Sequence, residues 1–342
     1  MLNNPEALRP HLPLNIQAHL RAEQSSHPEA TGALTSILND LAVVAKSISY
    51  LVNTAGLQDM YGVTGATNVQ GESVLRLDAG SNDQFKNILL ENPNVAGFAS
   101  EEEDTFVPFP NGGEKGKYVV WFDPLDGSSN FDTNVSIGSI FAIYRRVSAE
   151  NGQVNENDFL QKGSEQVCSG YFLYGVSTMF VYTTGHGVYG FTLNPNIGEF
   201  MLPDGYSQMR IPESGNIYSV NEGYSHRWSP EIREYIDSLK TRKENPCSAR
   251  YIGSLVADLH RTLRKGGVFL YPRDSKHPEG KLRLCCELNP LALLVEQAGG
   301  MATDGQTRIL EIKPERLHQR SPVVMGSRDE VGQFNRLVSS GV

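Results

Sequence analysis

Two aspartates at the end of an apolar run mark the chemistry open to this chain. In Trp121-Phe122-Asp123-Pro124-Leu125-Asp126-Gly127-Ser128-Ser129-Asn130-Phe131-Asp132, the residues from Lys117 to Phe122 read as a buried strand that stops on Asp123 and Asp126. Carboxylates spaced by Pro and Leu on a sharp turn can face one cation. Gly127 lets the backbone approach a ligand closely, so the N–H groups that follow can cradle a phosphate. Hard oxygen ligands beside an anion nest are what magnesium-assisted phosphoryl chemistry requires.

Further acids share one predicted setting. Asp78, Glu101, Glu102 and Glu287, like Asp123 and Asp126, read as lying where a strand, or the residue after it, meets a loop. Open α/β sheets bind ligands at such strand ends. Glu101-Glu102-Glu103-Asp104 would equally suit a solvated acidic run. Arg250, Lys281 and Arg283 flank predicted strands, with Tyr224, Tyr251 and Tyr271 nearby. Lys and Arg neutralise phosphate and Tyr hydroxyls give directional hydrogen bonds. Surface charge with aromatic packing is the alternative for these residues.

The elements that must position these groups follow from periodicity. Residues 1–30 are polar and are expected to be only partly ordered. Thr31 to Val52 carries Leu34, Ile37, Leu38, Leu41, Ala45, Ile48 and Leu51 on one helical face, with Thr31 as N-cap and Gly56 past the end. A polar loop from Gly65 to Ser73 leads to Leu77-Asp78 and a helix around Asn82 to Leu90. Val95 to Ala99 and Ile137 to Arg146 read as strands, and Gly170 to Leu202 as antiparallel strands with turns at Thr184-Gly185-His186-Gly187 and Asn194-Pro195-Asn196. The rhythm changes near Pro203-Asp204-Gly205. Strands are then predicted at Ile217–Val220, Val268–Tyr271 and Leu282–Cys286, and helices at Pro230–Leu239 and Ser254–Lys265. A last helix, Leu291–Ala298, is bracketed by Asn289 as N-cap, Pro290 and Gly299. A lobe boundary is expected near residues 205–210, dividing 1–208 from 209–342.

Composition narrows the function. A net charge of −9 argues against non-specific nucleic-acid binding. Apolar runs such as Leu291 to Val295 are too short to span a bilayer. Met1-Leu2-Asn3-Asn4-Pro5 has no basic region followed by an apolar core, so no secretory signal is expected, and the C-terminal Ser339-Ser340-Gly341-Val342 carries no retrieval address. The four cysteines, Cys168, Cys247, Cys285 and Cys286, form no CxxC pair, which favours reduced thiols in a cytoplasm.

Over nearly its whole length the chain resembles the class I fructose-1,6-bisphosphatases. The matching segments are Asn68-Val69-Gln70-Gly71-Glu72, Leu77-Asp78, Ser100-Glu101-Glu102, Gly116 through Asn130, Val135-Ser136-Ile137-Gly138, Asn221-Glu222-Gly223-Tyr224 and Arg250 through Ser254. They continue with Gly280 through Leu284, Glu287-Leu288-Asn289-Pro290 and Glu296 through Thr303. The D-P-x-D-G part is shared with inositol monophosphatases, and the other blocks are more specific.

The resemblance implies an α/β fold, a two-lobed αβαβα sandwich, in a homotetramer that hydrolyses fructose 1,6-bisphosphate. It implies magnesium, with manganese or zinc as substitutes, on Glu101, Glu102, Asp123, Asp126, Glu287 and the Leu125 carbonyl. Asp78, working with Glu102, would be the water-activating acid. Gly127, Ser128, Lys281 and Arg283 would bind the 1-phosphate, with Asp126 and Ser129 as further substrate contacts. Asn221, Tyr224, Tyr251, Tyr271 and, from a neighbouring subunit, Arg250 would bind the 6-phosphate. AMP would inhibit at Thr31, Gly32, Thr35, Lys117, Tyr118 and Arg145. Glu72 stands where animal members have Asp, Cys286 where they have an aromatic residue, and Ala33 where they have an acid. Val147 to Cys168 holds one cysteine, so the thiol regulation of the chloroplast form is not expected. A related sugar or inositol phosphatase, such as one acting on sedoheptulose bisphosphate, and a catalytically silent sensor are the alternatives. A sensor would show a lost carboxylate, and none of the six is missing.

Overall fold

The computed structural model describes residues 14–25, 30–58, 62–67, 73–109, 116–149, 152–203 and 206–340. Seven helices stand among them: α1 (Ile16–Ser25), α2 (Ala33–Thr54), α3 (Arg76–Leu90), α4 (Pro230–Thr241), α5 (Leu255–Lys265), α6 (Asn289–Gln297) and α7 (Arg328–Ser340). A nine-stranded sheet runs edge to edge through Leu14–Asn15, Glu199–Leu202, Tyr189–Asn194, Thr178–Thr183, Gln166–Tyr174, Ile137–Arg145, Tyr118–Asp126, Val95–Ser100 and Val107–Pro108. Only Val95–Ser100 and Tyr118–Asp126 pair in parallel within it. A second sheet orders Ser248–Ala249, Ile217–Ser219, Val268–Tyr271, Val323–Gly326 and Met301–Thr303.

Alternating side chains fix the layers. Along Tyr118–Asp126, Val120 and Phe122 join a core made with α1, α2 and α3, while Val119 and Trp121 face the other side of the sheet. That other side, through Ile140, Tyr171 and Val181, packs on α5 and α6, which also receive Phe269 and Met325 of the second sheet. The neighbours of those two, Val268, Leu270 and Val324, turn outward onto α4 and α7. Helices 1–3, the large sheet, α5 with α6, the small sheet, and α4 with α7 therefore stack as five layers, αβαβα. Both sheet faces are covered, which is why the motif strand is apolar at every position from Tyr118 to Phe122.

Several expected elements shift. The Thr31 cap does not form: Gly32, in the left-handed region at φ 80°, precedes α2, and no side chain caps it. Helix α3 starts at Arg76, so Asp78 lies in its first turn instead of a loop. The strand expected over Leu282–Cys286 is only Leu282–Arg283, and Leu284–Leu288 forms a π-turn running straight into α6. Asn289 is thereby the first residue of α6 and not its cap. Cys285 and Cys286 belong to this turn, and all four cysteines are buried and unpaired. The polar N-terminal stretch contains α1, and helix α7 was not anticipated. Asn68 to Glu72 lies outside the described residues.

Candidate active site

The motif strand loses its register at its end. Asp123 pairs opposite Ile140 and Asp126 opposite Gly138, which leaves Pro124 and Leu125 in a bulge. The Leu125 N–H donates to Asp123 Oδ1 at 2.9 Å, and the buried Ser139 hydroxyl donates to the Pro124 carbonyl at 2.7 Å. Gly127 follows at φ 77°. From the opposite side, Ser254 and the first turn of α5 close on Asp126: the Ser254 hydroxyl and the Val256 N–H donate to its Oδ2 at 3.0 and 2.9 Å.

The π-turn brings in Glu287, whose Oε2 accepts the Arg283 N–H at 2.5 Å. Asp123, Asp126 and Glu287, all buried, each offer an oxygen within 4.8 Å of the others. Arg283 crosses the same space, with Nη1 2.6 Å from Glu101 Oε1 and 3.9 Å from Glu287 Oε2. Glu102 and Asp78 complete the acids. Asp78 Oδ2 accepts the Leu75 N–H at 3.1 Å, which holds the carboxyl at the start of α3. Asn82, one turn further on, donates to Glu103 Oε1 at 3.0 Å and accepts from the Ser100 hydroxyl at 2.8 Å, so it ties α3 to the Glu101–Glu103 segment.

Crowded acids out of water resist ionisation. Burial, then the charges of Glu101, Asp126 and Glu287, hold the Asp123 carboxyl well above the usual range. Burial also raises Asp126, against the Val256 N–H and Ser254 hydroxyl that favour its charge. Glu287 is raised by burial and then by Glu101, and the Arg283 guanidinium opposes this. A divalent cation would relieve all three at once, and the all-oxygen donor set suits a hard ion. The residues fit a metal centre.

A cleft of 530 Å³ gathers the expected residues. Asp78, Glu101, Glu102, Asp123, Leu125, Asp126, Gly127, Ser128, Ser129, Tyr251, Tyr271, Lys281, Arg283 and Glu287 all line it. Burial first, then Tyr224, pushes the Tyr271 hydroxyl up to about 12, so it remains a donor at neutral pH. Asn221, Tyr224 and Arg250 are not among the lining residues. The Asn221 side chain accepts the Gly223 N–H at 3.1 Å, Tyr224 lies 4.6 Å under the Arg227 guanidinium, and exposed Arg250 donates Nη1 to the Ala249 carbonyl at 2.9 Å. A second pocket, of 220 Å³, is lined by Thr31, Gly32, Thr35 and Tyr118 together with Gln24, Tyr182 and His186. The Arg145 guanidinium lies 6.0 Å from the Tyr118 ring centre, and Lys117 is the residue before Tyr118.

The family model described as fructose-1-6-bisphosphatase, N-terminal domain, matches residues 16–205, and its C-terminal counterpart matches 211–339. The chain belongs to the class 1 fructose-1,6-bisphosphatases. The fructose-1,6-bisphosphatase class 1 of Maridesulfovibrio salexigens is 51% identical over 330 residues, 95% of this chain and 97% of its own. That of Cytophaga hutchinsonii is 52% identical over 317 residues, 92% of this chain and 91% of its own. The crystal structure of Leishmania major fructose-1,6-bisphosphatase in holo form superposes with a TM-score of 0.89 at 42% identity, covering 96% of this chain and 99% of that one. Its apo form gives a TM-score of 0.85 at 41% identity over the same shares.

Three residues of this bisphosphatase fold that shape the site escaped the sequence reading as functional groups: Ser139, Ser254 and Asp258. Ser254 is 128 residues from its partner Asp126, and Ser139 acts on a backbone carbonyl. No local pattern marks either one. Asp258, three residues before Arg261 in the amphipathic helix α5, offered a faint signal: a charge on the face that periodicity assigns to the core.

Proposed function

We propose that the chain hydrolyses fructose 1,6-bisphosphate to fructose 6-phosphate and phosphate, a step of gluconeogenesis. The observation that carries this reading is one cleft holding Asp78, Glu101, Glu102, Asp123, Asp126 and Glu287 together with Lys281, Arg283, Tyr251 and Tyr271. Glu101, Glu102, Asp123, Asp126, Glu287 and the Leu125 carbonyl would hold magnesium, or manganese or zinc in its place. A divalent cation there supplies Lewis acidity to the phosphoryl oxygens and lowers the pKa of a water. Asp78 and Glu102 take the proton of the attacking water. The Gly127 and Ser128 amides, with Lys281 and Arg283, bind and orient the reacting phosphate. Asn221, Tyr224, Tyr251 and Tyr271 hold the distal phosphate. Arg250, exposed on its own subunit, serves the neighbour's site in a homotetramer.

We divide the chain at about residue 208. Residues 1–208 carry most of the metal ligands and the nucleotide site, and residues 209–342 the sugar-bisphosphate contacts. No helix among the described residues is long and apolar enough to cross a membrane. Unpaired buried cysteines suit a cytoplasmic enzyme. Phosphate release from fructose 1,6-bisphosphate, sedoheptulose 1,7-bisphosphate and inositol 1-phosphate, with and without magnesium, tests the reading. A preference for the inositol ester, or no release from either bisphosphate, would overturn it.

Metal removal has a signed effect on stability. Asp123, Asp126 and Glu287 are raised in the folded chain above the ~4 of an unfolded carboxylate. Groups raised in this way favour the fold below ~4 and lose that contribution as pH rises through their folded values. A bound cation reverses the loss. Magnesium is expected to raise the thermal midpoint more at about pH 8 than at about pH 6. A midpoint indifferent to magnesium at both would remove these acids from the ligand set.

We assign AMP inhibition to the second pocket. Helix α2 opens there with no side-chain cap, so its first N–H groups are available to a phosphate. Thr35 spends its hydroxyl on Gln24 Oε1 at 2.9 Å, which leaves the backbone as the main anion site. Lys117 adds a cation, and Tyr118 and Arg145 offer contacts for the nucleoside. Lys117→Ala should weaken inhibition several-fold, about what one charge-assisted contact contributes, with the uninhibited rate unchanged. Indifference of the unaltered enzyme to millimolar AMP would retire the assignment.

A further inference from the structure

Asp258 has no exposed surface, yet it borders the cleft and draws in donors from two separate segments. Its Oδ1 accepts the Ser219 hydroxyl at 2.7 Å and Arg261 Nη2 at 2.6 Å. The Ile252 N–H reaches Oδ1 and Oδ2 at 3.0 and 3.1 Å, and the Gly253 N–H reaches Oδ2 at 2.9 Å. Arg261 Nη2 also donates to the Arg250 carbonyl. One carboxylate therefore ties the strand end two residues before Asn221 to the loop Arg250–Gly253. These are the two segments assigned above to the distal phosphate.

A buried carboxylate costs stability unless each lone pair is met, and here each is met by a donor whose position matters to the cleft. Exposed loop amides could have been satisfied by water instead. The Asp258 carboxylate replaces water with a fixed anchor, so the loop holds one shape before substrate arrives. An anchored loop loses less conformational freedom on binding, and this appears as affinity. The reacting phosphate is bound by Gly127, Ser128, Lys281 and Arg283, and none of these hydrogen-bonds Asp258.

We propose that Asp258, held by Arg261, is a positioning residue for the distal phosphate of the sugar bisphosphate, acting through the Arg250–Gly253 loop and the Ser219 strand end. This rests on the bisphosphatase reading above. Asp258→Asn keeps the shape but turns one acceptor into a donor that must face Arg261 or the loop amides. In the full-length chain the Michaelis constant for fructose 1,6-bisphosphate should rise roughly tenfold, as loss of one charged hydrogen bond does. Inhibition by fructose 6-phosphate, which carries only the distal phosphate, should weaken by a similar factor. Turnover at saturation should stay within about threefold.

Arg261→Lys, which keeps the charge but not the planar guanidinium whose Nη2 serves both Asp258 and the Arg250 carbonyl, should shift the same two constants less. It carries the test if Asp258→Asn does not melt as a folded protein. Unchanged Michaelis and inhibition constants in a folded variant, or a fall in turnover alone, would overturn the assignment. Absence of phosphate release by the unaltered chain, measured first, would overturn the bisphosphatase reading and this role with it.

Discussion

Asp78→Asn lowers turnover on fructose 1,6-bisphosphate by ~10²–10⁴, the usual contribution of a positioned base, and leaves the Michaelis constant nearly unchanged. The expectation follows from placement. Asp78 lines the cleft with Glu101 and Glu102, and one of its oxygens is fixed by the Leu75 N–H at 3.1 Å. An amide in its place can still accept that N–H, so the start of α3 and the thermal midpoint should be preserved. What disappears is the capacity to accept a proton. Steady-state kinetics at saturating magnesium, with a melting curve as control, provide the measurement. Turnover within a few-fold of the unaltered enzyme would assign the proton to another group, Glu102 first.

Gly127→Ala is expected to cost about 10² or more in kcat/KM, the scale of an ångström-level misplacement at a catalytic centre. Two effects combine at this position. Its backbone sits at φ 77°, where a Cβ costs roughly 1–2 kcal/mol. The added carbon would also lie 2.8 Å from Ser254 Cβ. Ser254 must move, and with it goes the hydroxyl that holds Asp126 at 3.0 Å. Gly198→Ala separates strain from displacement. Gly198 has φ 66° and nothing within 4 Å of its virtual Cβ, so it carries similar strain without a clash and away from the cleft. Equal losses of activity in the two variants would show that backbone strain alone accounts for the Gly127 effect and that Ser254 plays no part.

What the chain declares locally and what it hides differ by distance along the sequence. The motif strand was legible because every constraint on it is local: an unbroken apolar run, a Pro that interrupts the ladder, and a Gly that allows the turn. The helix face from Ile37 to Ile48 was legible for the same reason, since periodicity reports burial directly. The wider set of acids, and the cations opposite them, came from a match of many short blocks to a known family. Spacing by itself left Glu101-Glu102 and Lys281 open to a surface reading.

Tertiary structure decided what depends on contacts between remote segments. Thr31 fits a cap by residue type, but Gly32 takes the left-handed conformation that starts α2. The residues Leu284–Leu288 looked like strand because they are apolar and unbroken. They wind into a π-turn, fully buried, that lets Glu287 reach back to the Arg283 N–H and face Asp123 and Asp126. Ser254 and Asp258 matter only because α5 packs end-on against the bulged strand and under the Arg250–Gly253 loop, more than a hundred residues from the motif. A carboxylate or hydroxyl acquires such a role from what surrounds it in three dimensions, and hydrogen bonds across that separation leave no period or spacing in the sequence to read.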